Sequence, residues 1–170
     1  FIDLHYPYVE YDSTVSYDPS FVPNKTDLQS RITLALETYA RSADINSFGG
    51  RVKYSKLLSI IDRVDTGITS NITNLIMRRN MTPLYNQLAN YEICYGNRFH
   101  ADTEGFNVRS SAFQIEGVDG DVYLTDFPDN GSTEMGTVKF FTFEENTVKY
   151  INTNAGKVYY DKGKIILYPV

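Results

Sequence analysis

From Ala89 onward the chain alternates apolar and polar side chains in short runs: "YEICYG", "FNVRSSAFQI", "DVYLTDF", "GTVKFFTF", "TVKYIN", "KVYY" and "KIILYP". Alternation with a period of two sends successive side chains to opposite faces of a strand. Turn-forming pairs stand between the runs at Asp119-Gly120, Asn130-Gly131, Glu145-Asn146, Ala155-Gly156 and Lys162-Gly163. Links this short join antiparallel neighbours, because a parallel pair needs a crossover of a dozen residues or more. Residues 84–170 therefore read as an antiparallel β-sheet with hairpins, of which "KVYYDKGKIILYP" has good turn chemistry.

Residues 1–83 obey a different rule. "FIDLHYPYVEYDS" reads as an extended segment, since Pro7 excludes a helix interior and Tyr, Val and Ile favour strands. "YDPSFVPNK" is a loop punctuated by Pro19 and Pro23. A helix follows, expected to be capped by Thr26, with Gln29 at the capping-box position and Asp27 in the first turn. Leu28, Ile32, Ala35, Leu36 and Tyr39 form its apolar stripe, leaving Arg31, Glu37 and Arg41 to face water. It ends in "RSADINSFGG", where Gly49 and Gly50 break regular structure. A second amphipathic helix is expected from a Ser55 cap to about Val64, burying Leu57, Ile60, Ile61 and Val64. A strand over residues 69–79 and Pro83 close this part. The expected class is α+β, with an α+β part over 1–83 and an antiparallel β part over 84–170. Together they are expected to form one compact unit cut from a longer protein.

Composition narrows the function classes. A formal net charge of -5 without a basic cluster argues against a nucleic-acid partner. No apolar run has the length of a membrane span, and no signal peptide is visible. Cys94 is the single cysteine, so no internal disulfide forms. The 14 Tyr and 10 Phe supply large burial per residue.

Three groups of residues invite a chemical reading. Asp62 and Asp65, in "SIIDRVDTGITSN", resemble a metal loop or a carboxylate pair. A calcium loop needs ligands on alternate residues and a glutamate at the twelfth, and the spacing here fails. A catalytic dyad needs a second group to separate the two carboxyl pKa values, and none is offered. A structural corner accounts for more: Asp62 solvated by Arg63 and water, Asp65 opening a turn, and Gly67 supplying backbone freedom. Cys94 and His100 could be a thiol and its base, yet Cys94 sits in a strand pattern as a small apolar side chain. His5 is the only other histidine, too few for a multi-histidine metal site. Arg78 and Arg79 take opposite faces of a strand, one to pair with a carboxylate and one to face solvent or a partner. Sequons at Asn24, Asn71, Asn80 and Asn130 carry little weight without a secretory signal. Phe140, Phe141 and Phe143, like Val158, Tyr159 and Tyr160, put apolar groups on both faces of a strand, which needs cover on both. No catalytic, cofactor-binding or metal-binding residue is assigned.

The run "FGGRVKYSKLLSIIDRVDTGITSNITNLIMRRNMTP", residues 48–83, resembles the large baseplate wedge proteins of T4-like contractile-tailed phages, related to the baseplate J-like proteins. The resemblance rests on Phe48, the Ser55 helix start, Ile61-Asp62, Val64-Asp65, Ile68, Ser70-Asn71 and Met77-Arg78-Arg79. The preceding helix and the hairpin "AGKVYYDKGKIILYP" fit the carboxy-terminal part more loosely. It implies a virion structural protein of the tail baseplate, assembled in the host cytoplasm, with no enzyme activity and no cofactor. Its implied partners are copies of itself, as a dimer, and other wedge proteins forming the ring around the hub. Two other readings stay open from the residues: a β-rich carbohydrate- or receptor-binding module, from the Tyr content, and a hydrolase using Asp62 and Asp65.

Overall fold

The computed structural model describes residues 7–47, 49–81 and 89–169, so His5, Phe48 and Pro83 lie outside the described residues. The chain divides into two compact units, Phe1–Asn80 and Met81–Val170.

In the first unit, β1 (Tyr8–Tyr17) pairs antiparallel with β2 (Ile68–Arg78). The segment between them forms α1 (Lys25–Ala40), the single turn α2 (Ala43–Asn46) and α3 (Tyr54–Asp62). Two strands alone are marginal in water, and a packed helix supplies what they lack. Leu36, Leu57 and Ile61 make the buried centre, with Val15 and Leu75 from the strands against them. Leu28 and Tyr39 are buried on the same stripe of α1.

Three local expectations are corrected here. The cap of α1 is Asn24, not Thr26: its side-chain oxygen accepts from the backbone N–H of Thr26 and of Asp27 at 3.0 and 3.2 Å. Pro23 precedes Asn24, which is extended, so the helix begins two residues early. The second helix starts at Tyr54 without a side-chain cap and ends at Asp62, short of Val64. Arg31 does not face only water. It donates to Asp27 at 2.9 Å, to Asp65 at 2.8 Å and to the Val64 carbonyl at 3.1 Å.

The second unit is a five-stranded antiparallel sheet in the order β3-β7-β6-β5-β4. The strands are β3 (Tyr91–Cys94), β4 (Tyr123–Pro128), β5 (Met135–Glu144), β6 (Thr147–Tyr159) and β7 (Lys164–Leu167). Glu145 and Asn146 both take positive φ, closing a two-residue hairpin whose twist matches its strands. The core side carries Ile93, Val122, Leu124, Val138, Phe140, Val158, Tyr160, Ile165 and Leu167.

Two strand expectations fail in this unit. Residues 106–115 do not form a strand; their ladder pairing is confined to two isolated bridges, Arg109 with Thr125 of β4 and Phe113 with Val122 just before it. The runs "TVKYIN" and "KVYY" are one strand, and Ala155-Gly156 is not a turn. A Cβ on Gly156 would lie 2.1 Å from the Ile166 carbonyl oxygen, so this glycine lets β7 approach rather than reversing the chain. The extra residues lie in β6 between Tyr150 and Gly156, where the register shifts opposite Val138 to Phe141 of β5.

Candidate interaction surfaces

The corner after α3 is built from polar bonds. The Asp65 carboxylate accepts from the Gly67 N–H at 2.8 Å and from Arg31 at 2.8 Å. The Gly67 N–H first, and Arg31 after it, hold its pKa below the usual carboxylate range. Asp62 accepts from the side-chain amide of Asn71, where solvation by Arg63 and water was expected. The two aspartates thus serve separate hydrogen-bond sets. Gly67 does not have a positive φ, so backbone freedom is not its role. A Cβ there would lie 2.7 Å from Val22 Cγ2 and 2.8 Å from Phe21 Cβ, so Gly67 admits the incoming loop. The corner therefore clamps α1, the loop before it and the start of β2.

Above this corner the ribbon of β1 and β2 keeps one apolar-bearing face open. Even-numbered residues of both strands share that face, since Glu10 stands opposite Ile76 and Thr14 opposite Ile72. Tyr8 and Ile72 are each 68% exposed and Ile76 is 50% exposed. Arg78 bonds Glu10 at 2.9 Å across the strands, which places the expected arginine–carboxylate pair. The opposite face carries Val15 and Leu75 toward the helices, with Ser13 and Thr73 hydrogen-bonded at 2.8 Å.

The second unit carries an aromatic ladder on the sheet face away from its core. Tyr123 stacks on Phe141 at 5.6 Å, and Phe141 meets Phe143 and Tyr150 edge-on at 5.5 and 6.3 Å. Tyr150 meets Phe127 at 5.6 Å, and Lys139 lies 4.1 Å from the Phe127 ring centre. Phe141 is buried by these neighbours, whereas Phe143 is 55% exposed. At the other end of the ladder, Asp129 accepts from Lys157 and Thr137 at 2.9 and 2.7 Å. Burial would raise the Asp129 pKa, but these bonds outweigh it and hold the group low.

Sequence reasoning missed a fully buried carboxylate in the second unit. Asp126 is fully buried and accepts from the Tyr160 hydroxyl at 2.5 Å, the Asn107 amide at 2.9 Å and the Val108 N–H at 2.6 Å. Burial, and then the neighbouring Asp126 carboxylate, push the Tyr160 phenol pKa well up. One signal for this was present: Asp126 shares the register of Val122 and Leu124, an acid in a row of core positions. The network pins residues 107–108 to β4, which is what the 106–115 run does in place of forming a strand.

Cys94 lies in β3, in the strand expected for it, and is exposed, with its thiol 3.5 Å from Glu92. Lys164 first, and Cys94 after it, lower the Glu92 pKa. Among the described residues, no group of three or more His, Cys, Asp or Glu is arranged to hold a metal. No helix among the described residues is long and apolar enough to cross a membrane.

Comparison with protein families matches residues 5–80 to the model described as "Baseplate structural protein gp6, C-terminal domain III". The match ends where the first unit ends, and residues 81–170 lie outside it. Comparison with curated proteins gave no match. The family match supports a structural protein of a phage baseplate, located in the tail baseplate of a virion and interacting with other baseplate components.

Proposed function

We propose that this chain is a wedge component of a contractile phage tail, acting by association with copies of itself and with other wedge subunits to build the ring around the hub. Kinship with the baseplate J-like proteins, a non-enzymatic role without cofactor or nucleic acid, and assembly in the host cytoplasm belong to the same proposal. In this reading residues 1–83 carry the part shared with baseplate proteins and residues 84–170 add a β part. The observation that carries it is the set of apolar side chains left in water on the matched unit, Tyr8, Ile72 and Ile76 on one ribbon face. A monomer gains nothing from exposing them together, whereas an interface of roughly 1,600 Å² would bury such a set. Like surfaces meeting in a dimer would do so about a two-fold axis. Light scattering over a concentration series, alone and with co-expressed wedge subunits, tests this. Mass is expected to rise with concentration or on mixing. A chain that stays monomeric and binds no other tail component defeats the proposal.

A second reading, a carbohydrate- or receptor-binding module, is favoured by the partly exposed aromatic ladder with Phe143 and Tyr150, which lies outside the matched region. Glycan binding abolished by Tyr150→Ala would promote it. Saturating glycan screens without a hit would retire it.

A further inference from the structure

A two-stranded ribbon has two outer edges, and here they are treated differently. Along β2 the helix α3 is bonded to the strand: the Tyr54 hydroxyl donates to the Thr73 carbonyl at 2.7 Å, and the Asn71 amide reaches the Leu58 carbonyl at 3.4 Å. Along β1, among the described residues, no group outside β2 bonds the main chain between Tyr8 and Ser16. The ladder is unbroken from Tyr8 opposite Arg78 to Ser16 opposite Ser70, and the first register shift comes only at Ser16/Tyr17. Proteins usually blunt such an edge with Lys, Pro, a bulge or brevity. β1 has ten residues, "YVEYDSTVSY", with no Lys, no Pro and no bulge before its last pair, and its only charges are Glu10 and Asp12.

We propose that the free edge of β1 receives an extended segment of another protein as a third strand, and that this segment places Lys or Arg opposite Asp12. Main-chain hydrogen bonds supply the affinity of such an addition, and side chains on alternate residues supply its specificity. The charge requirement comes from the open ribbon face, where Glu10 and Asp12 stand two residues apart. Glu10 is matched by Arg78. Asp12 faces Asn74 and has no ion pair among the described residues. A second copy of β1 is the wrong occupant. β1 contains no Lys or Arg, so no register of self-pairing brings a cation to Asp12; a two-fold at Asp12 sets that carboxylate against itself, and one at Tyr11 sets Glu10 against Asp12. Like charges directly opposite destabilise a strand pair. Self-association through other surfaces is untouched by this.

The inference rests on the partner-binding role proposed above, and hydrogen exchange on the full chain separates the two. In the free protein every second amide between Tyr8 and Ser16 is expected to exchange quickly, alternating with amides bonded to β2. The probe is a synthetic nine-residue peptide of alternating Thr and Val with a central Lys; its twin has Glu there. The Lys peptide at saturation is expected to slow the fast set at least tenfold, the Glu peptide not, and Asp12→Lys to reverse the preference. Slow exchange of the whole strand in the free protein would mean that the edge is already occupied and would overturn the inference. So would failure of both peptides, while equal protection by both would overturn the charge match. Failure with the peptides in a chain that still binds tail components defeats this inference alone. A chain that binds neither defeats the role beneath it.

Discussion

Replacing Asp126 with alanine should cost the second unit a large part of its stability. The substitution strands three donors at once: the Tyr160 hydroxyl, the Asn107 amide and the Val108 N–H. Tyr160 is fully buried and cannot turn to water, whereas Asn107 and Val108 are half-buried and partly recover it. A stranded buried donor costs about 1–3 kcal/mol, so the expected loss is about 3–5 kcal/mol. Tyr160→Phe removes one donor and leaves Asp126 two others, for a loss of about 1–2 kcal/mol. The double variant should cost at least about 2 kcal/mol less than the sum of the singles, because Tyr160→Phe loses no bond once Asp126 is gone and removes the stranded hydroxyl. Urea unfolding read by amide protection in β4 and β5 isolates this unit. A loss below about 1 kcal/mol for Asp126→Ala, or strict additivity in the cycle, would refute the view that the network acts as one lock.

Other perturbations test the rest of the fold. Asn24→Ala removes the acceptor for two backbone donors and should lower stability by about 1 kcal/mol, measured by thermal unfolding of the helical signal. Gly67→Ala forces a methyl against Val22 and the Phe21 Cβ and should cost about 1–3 kcal/mol, whereas a position needing only flexibility would show a smaller change. The depressed Asp65 pKa contributes stability that is complete above the ordinary carboxylate value near 4 and is lost as pH falls through the lower folded value; Asp65→Asn should flatten this acid limb in a pH series of urea midpoints. The raised Tyr160 phenol acts at the other end. Above about pH 10 the unfolded chain loses that proton while the fold keeps it, so stability should fall as pH rises, and Tyr160→Phe should weaken the fall.

What could be read from the sequence was whatever has a local period. The stripe of Leu28, Leu36 and Tyr39, the α3 residues Leu57 and Ile61, and the alternation of β4 and β5 each declare a buried face within a few residues. The α+β class followed from those faces and holds in the structure. What stayed hidden depends on partners distant in the chain. The pairing of β1 with β2 joins segments sixty residues apart, as Ser13 with Thr73 shows. Residues 106–115 alternate well enough for a strand, yet they are held by Asp126 and bridges instead of a ladder. Gly67 and Gly156 looked like turn residues because a sequence shows the missing Cβ but not the chain that passes beside it. The turn opened by Asp65 was legible in the sequence, whereas the partners that fix the Asp62 and Asp65 corner, Asn71 and Arg31, were not. The exposed face of Tyr8, Ile72 and Ile76 was invisible for the same reason, since the strands that share it meet only in the fold.

Electron cryomicroscopy of intact contractile tails that contain this chain bears most directly on its role. Density for the two-stranded ribbon and its helices is expected at a repeated position in each baseplate wedge, with Tyr8, Ile72 and Ile76 covered by neighbouring subunits. Tails whose baseplates lack this density, or which leave that ribbon face in solvent at every copy, would contradict a structural role built on those contacts.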